Sequence, residues 1–153
     1  MSDHVSHMRE AVRLAQDNRA QGAHPFGAVL TQHGKRVAIG VNQVKQHCDP
    51  TSHAEIEALR AAGAALGQTR LDGCVVYASG YPCPMCLAAM VACGIQAIYY
   101  AFDNADAAPF GMSSDPTYNA LGMEPKPAPV TIIRIDTGVT AAQLYGDAST
   151  NAS

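Results

Sequence analysis

The chain is short of basic residues. Lys and Arg together number ten among 153 residues, against thirteen Asp and Glu, and the formal net charge is −3. The ten are scattered and form no stripe, which argues against a broad phosphate-binding surface and leaves room for a small local one. No tract is apolar enough to span a bilayer. The N-terminal stretch carries Asp3, His4, Arg9 and Glu10 where a secretory leader would have an apolar run, so a cytoplasmic protein is the expectation. There is no internal repeat and no low-complexity segment. Cysteine is sparse and odd in number, at five. That is reduced, intracellular usage and not a disulfide scaffold. Cys74, in an apolar run, and Cys93, on an apolar helix, read as buried free thiols. Cys48 has no assignment.

What is present is an ordinary globular composition, 48% hydrophobic and 15% charged. It suffices for one domain over 1–153 with its own core. An amphipathic helix is expected over 3–21, with Val5, Met8, Val12 and Ala15 on one stripe and Gly22 ending it. Strands follow at 26–31 and 36–41, joined by a turn at His33-Gly34. A helix runs from 53 to about 67, and Thr51 or Ser52 is placed to cap it. The near-continuous apolar runs 73–78 and 96–101 read as strands buried on both faces, as in parallel sheets. Between them lies a helix over 83–93. Beyond come a stretch broken by Pro109, Gly111 and Pro116, a last strand over 130–135, and a short helix from Thr140. Residues 146–153 read as a flexible tail. The alternation implies an α/β fold, a three-layer α/β/α sandwich. The long connection between the last two strands makes them parallel, since a hairpin needs only a few residues.

Two motifs carry chemistry. His53-Ala54-Glu55 is followed by Pro82-Cys83-Pro84-Met85-Cys86, giving H-x-E and then P-C-x-x-C, the pattern of zinc-dependent nucleobase deaminases. One imidazole and two thiolates make three ligands for a tetrahedral Zn²⁺, with the fourth position open to water. Cys83 and Cys86, three apart at a helix start, share a face, and the helix N-terminus favours their thiolate forms. Glu55 is not needed as a ligand and is free to move protons. Alone, C-x-x-C could be a redox pair or half of a structural zinc site. The second half would have to come from His47-Cys48, whose adjacent spacing is poor. Glu57, two positions from Glu55, faces elsewhere and reads as a solvated charge.

The sequence resembles the cytidine-deaminase-like superfamily over most of its length. It is closer to the bacterial guanine deaminases and tRNA adenosine deaminases than to the free cytidine deaminases. The shared text is Pro25-Phe26-Gly27-Ala28-Val29, Asn42, Asp49-Pro50-Thr51, His53-Ala54-Glu55, Pro82-Cys83-Pro84-Met85-Cys86-Leu87 and Asp106-Ala107-Ala108. The resemblance implies a mixed five-stranded sheet and one zinc per chain at His53, Cys83 and Cys86. It implies Glu55 as proton shuttle, Asn42 and the Ala54 backbone N–H as base-edge contacts, and Phe26 near the ring. It also implies a homodimer, in which some guanine deaminases exchange C-terminal segments. The chain departs from the pattern at Tyr81, where an acidic residue is common. It departs again at Ser114, where guanine deaminases carry a second acid, and in its tail, which lacks their aromatic residues.

The expected activity is hydrolytic deamination of a small aminated heterocycle, guanine to xanthine by analogy, with cytosine, an aminotriazine or a related base or nucleoside as alternatives. A tRNA adenosine deaminase is disfavoured by the acidic charge and the lack of a basic arm, so no nucleic-acid or membrane partner is expected. A zinc-stabilised binding protein without catalysis is disfavoured by Glu55, which a structural site does not require. A guanine-like ring presents N–H donors, so a second acid is expected in the pocket, drawn from Asp103, Asp106 and above all Asp115. For Asp106, capping a helix that starts at Ala107 is the competing reading.

Overall fold

The computed structural model describes residues 2–146. Helix α1 (Ser2–Ala20) leads into the hairpin β1 (Gly27–Gln32) and β2 (Lys35–Val41). A short helix α2 (Val44–His47) and the helix α3 (Ala54–Leu66) follow. Then come β3 (Cys74–Gly80), α4 (Pro84–Ala92) and β4 (Ala97–Phe102). The last part holds α5 (Asn104–Ala107), a 3-10 turn (Ala108–Phe110), α6 (Asp115–Ala120), β5 (Thr131–Arg134) and α7 (Ala141–Tyr145).

The five strands form one mixed sheet in the order β2-β1-β3-β4-β5. β1 is antiparallel to β2 and to β3, whereas β3, β4 and β5 run parallel. Strand side chains alternate between faces, and both faces of β1 and β3 are covered. On one face Ala28, Leu30, Val76 and Ile98 pack with Ala54 and Ala58 of α3 and Leu87 and Met90 of α4. On the other, Val29, Tyr77 and Ala101 pack with Met8 and Val12 of α1 and Leu144 of α7. These are the three layers expected from the alternating pattern.

Gly40 seats α3 on the sheet. A Cβ there would lie 2.1 Å from the Ala54 carbonyl oxygen and 2.5 Å from the Ala58 nitrogen, so no other residue permits this approach. The start of α3 is thereby fixed against β2.

Local details differ from the sequence-based expectation. α3 begins at Ala54, and His53 is its N-cap, with extended backbone and no side-chain capping bond. Neither Thr51 nor Ser52 caps it. Ser52 is wholly buried, with its hydroxyl 3.4 Å from His47 Nδ1, and the imidazole of His53 is turned toward Cys83 and Cys86. α2 was not anticipated, since four residues carry too little periodicity to read. Asp106 does not cap a helix at Ala107. Asp103 is the N-cap of α5, and Asp106 is its capping-box partner three residues on. Most of the expected tail, with any exchanged C-terminal segment, lies outside the described residues. No helix among the described residues is long and apolar enough to cross a membrane.

Candidate active site

Two helix starts converge at the ends of the central strands. His53 is the N-cap of α3 and Cys83 the N-cap of α4. Pro84 occupies the first turn of α4, where a missing N–H is no loss. The Cys83 thiol sulfur accepts the Cys86 N–H at 3.5 Å, which folds the two sulfurs onto one side. Each sulfur lies 3.5 Å from His53 Nδ1, and the three donor atoms all lie within 4.8 Å of one another. Zinc bonds of about 2.0–2.1 Å to nitrogen and 2.3 Å to sulfur, at tetrahedral angles, separate such donors by roughly 3.5 Å. The donor set and its spacing therefore fit zinc.

Electrostatics at this point are set by burial and by the thiols. Cys83 is held down to about 4, first by the hydrogen bond from Cys86 and then by that with His53. Cys86 is pushed up by its bond to Cys83 and by burial. The bond with Cys83 raises His53 against its own desolvation. Glu55, two residues beyond His53 in the first turn of α3 and 8% exposed, is raised to about 7 by burial first and by the Cys83 charge second. A carboxyl near neutrality is suited to taking up and releasing protons.

These groups open onto a cleft of about 330 Å³, the size of a small-ring site. Phe26, Asn42, His53, Glu55 and Cys83 all line it. Asn42 is buried, and its Oδ1 accepts the Val44 N–H, which leaves Nδ2 as a donor. Ala54 is wholly buried as the first residue of α3 and gives the cleft no side chain. Tyr81 also lines it; the phenol donates to the Pro125 carbonyl, and the ring meets Tyr100 edge to face.

The structure does not bring the expected second acid into the cleft. Asp115 is the first residue of α6 and sits in a neighbouring surface depression with Ala108 and Pro116. Its backbone N–H donates to Ser113 Oγ at 3.0 Å, and the proline that follows has its φ fixed in the first turn. Asp106 pairs with Arg134 at 2.8 Å and accepts the Asp103 N–H. Asp103 pairs with Lys126 at 2.7 Å. The cleft wall is instead built from Gly111, Met112, Ser113, Ser114 and Thr117.

Three structural roles escaped the sequence reading. His24 lines the cleft, its pKa lowered by burial and then by Lys45 and His53. Its position before Pro25, which forces extended backbone, was the available signal. Asn18 of α1 donates to the carbonyls of both His24 (2.7 Å) and Asn42 (2.9 Å), tying two cleft segments to one helix. Tyr118, wholly buried on α6, donates to the Pro82 carbonyl at 2.6 Å and so locks the C-terminal wall to the cysteine turn. Nothing in the sequence marks either contact.

Residues 1–102 match the family model of the cytidine and deoxycytidylate deaminase zinc-binding region. The guanine deaminase of Bacillus subtilis is 39% identical over 120 residues, covering 78% of this chain and 77% of that protein. The X-ray structure of guanine deaminase from the same organism superposes with a TM-score of 0.74 at 36% identity, over 82% of this chain and 81% of that one. The tRNA-specific adenosine deaminase of Agrobacterium fabrum is 37% identical over 65% of this chain and 66% of its own length. The probable cytosine deaminase of Schizosaccharomyces pombe is 32% identical over 65% of this chain and 60% of its own. With its two motifs, its sheet order and its His/Cys/Cys cluster in agreement, the chain belongs to the zinc-binding cytidine and deoxycytidylate deaminase family.

Proposed function

We propose that this protein hydrolytically deaminates a small aminated heterocyclic base, with guanine to xanthine the first conversion to test. The observation that carries the reading is Glu55, a buried carboxyl in the cleft lined by His53 and Cys83, the two residues that cluster with Cys86. A merely structural metal site has no use for it.

In this reading His53 Nδ1, Cys83 Sγ and Cys86 Sγ hold one zinc per chain. Zinc in such a site acidifies a water and so supplies a nucleophile at neutral pH. The chain's own residues do the rest. Phe26 packs beside the ring, and the Asn42 amide donates to an acceptor on its edge. The Ala54 N–H, at the start of α3, adds a second donor. Glu55 takes a proton from the attacking water and delivers it to the adjacent ring nitrogen. The bond from ring carbon to amine then breaks, Glu55 passes on a second proton, and ammonia leaves a ring that now carries a carbonyl. Water enters and ammonia departs, so the balance closes without a co-reactant.

Cytosine or an aminotriazine is the second reading, favoured by the absence of any carboxylate but Glu55 among the described residues lining the cleft. The substrate is taken to be a free small molecule in the cytoplasm and the assembly a homodimer, which light scattering checks. The decisive experiment is ammonia release from a panel of aminated bases and nucleosides, with Glu55→Gln as control. Release by both proteins alike, or by neither, ends the deaminase reading.

A further inference from the structure

Two neighbouring hydroxyls in the cleft wall have opposite hydrogen-bond polarity. Ser113 Oγ accepts the Asp115 N–H at 3.0 Å, which leaves its own proton to donate. Ser114 is the reverse. Its backbone N–H and its hydroxyl both lie against Asn104 Oδ1, at 2.9 and 3.0 Å. A backbone N–H can only donate, so the amide atom receiving it is the oxygen. The hydroxyl facing that same oxygen then donates as well, and the lone pairs of Ser114 Oγ are left for the cleft.

Asn104 is held to do this. It is 7% exposed, on α5, with Nδ2 buried and without a partner among the described residues. The amide is thus fixed by its oxygen end, through the two Ser114 donors. Asn42 is oriented by the same logic, its oxygen engaged by Val44 and its nitrogen left to donate. The cleft therefore offers an amide donor from one segment and a neutral oxygen acceptor from another.

We propose that Asn104 is a positioning residue that makes Ser114 Oγ a single uncharged acceptor, and that the substrate ring offers one ring N–H to it and a carbonyl or ring nitrogen to Asn42. The ring class is a neutral aminopyrimidinone type, cytosine being the simplest. A carboxylate at this wall would accept two donors; one hydroxyl oxygen fixed as an acceptor suits one. A second ring N–H turned to the same wall would be buried unpaired and would weaken binding. The assignment rests on the deaminase reading of the site, which it narrows to a substrate class.

The test is calorimetric titration of the zinc-loaded full chain with two rings that carry no amine and cannot turn over. These are pyrimidin-2-one, with one ring N–H, and its N-methyl derivative. The wild type is expected to favour the N–H ring by roughly 5- to 150-fold, the range for leaving one buried hydrogen-bonding group unpaired. Ser114→Ala should bring the ratio to within about twofold of unity. Asn104→Leu should lower it with Ser114 intact, because the hydroxyl is then free to turn. Asn104→Asp, which still accepts both Ser114 donors, should restore it; a merely structural role for Asn104 would not give that recovery. Zinc content and melting midpoint are read alongside. A ratio that survives in Ser114→Ala is steric exclusion of the methyl group and overturns the proposal, as does failure of the N–H ring to bind. If the ratio behaves as stated but no ring in the ammonia panel is deaminated, the deaminase reading fails and the polarity assignment stands. Turnover with a ratio near one is the converse result.

Discussion

Residues 53–86 and residues 103–134 build parts of one cleft by different means. In the first region every reactive group sits at the start of a substantial helix: His53 and Glu55 on α3, Cys83 and Cys86 on α4. Capping, a proline in the first turn and a three-residue spacing place them, all local devices. In the second region the helices have four and six residues, too short to be stable alone. Side chains reaching across the molecule hold them: Tyr118 to Pro82, Arg134 to Asp106, Lys126 to Asp103. The metal-binding cluster and Glu55 are thus written in adjacent residues, whereas the rest of the cleft wall depends on packing between distant ones. The matched family region, 1–102, ends where the second region begins.

The comparison breaks most visibly if the metal donors prove dispensable. Replacing both Cys83 and Cys86 by Ala should abolish stoichiometric zinc, read by plasma emission, and with it all turnover. Full zinc retention would sink the assignment of the first region. Glu55→Gln should keep zinc and the melting midpoint but lower kcat by roughly 10²- to 10⁴-fold, the usual contribution of general acid–base transfer. Near-normal turnover by that variant would remove Glu55 from proton transfer.

Tyr118→Phe probes the junction between the regions. It leaves the Pro82 carbonyl buried without its donor, a cost of about 1–3 kcal/mol. The urea midpoint should fall accordingly, and kcat/KM should fall with it, because the 111–117 wall and the Cys83 turn lose their shared anchor. Zinc should remain, since none of its donors is touched. If neither the midpoint nor kcat/KM moves, the second region does not depend on this contact and is held as locally as the first.

The same contrast explains what could be read in advance. The sheet was legible because its strands are apolar runs bounded by glycines and turns, and the parallel pairing of β4 with β5 followed from the length between them. The metal cluster was legible because residue type, spacing and helix start coincide within a few positions. Asn18 and Tyr118 were not, because each matters through a partner 6 to 36 residues away that no local pattern announces. Asp115 misled for a related reason. Its place beside Ser114 in sequence said nothing about which way the first turn of α6 would face.

That last point yields the smallest expected effect and the most direct check on the C-terminal wall. Asp115→Asn changes a side chain outside the cleft, with Pro116 holding the turn. Its effect on kcat/KM should stay within about twofold, and on stability within about 0.5 kcal/mol, as for most surface substitutions. Asp106→Asn removes charge from an exposed ion pair with Arg134 and weakens a capping box, each worth up to about 1 kcal/mol. It should therefore lower the melting midpoint slightly while leaving KM unchanged, since neither partner of the pair lines the cleft. A large rise in KM for either variant, without loss of fold, would mean that a carboxylate does reach the substrate. The neutral wall formed by Ser113 and Ser114 would then not determine which ring the cleft accepts.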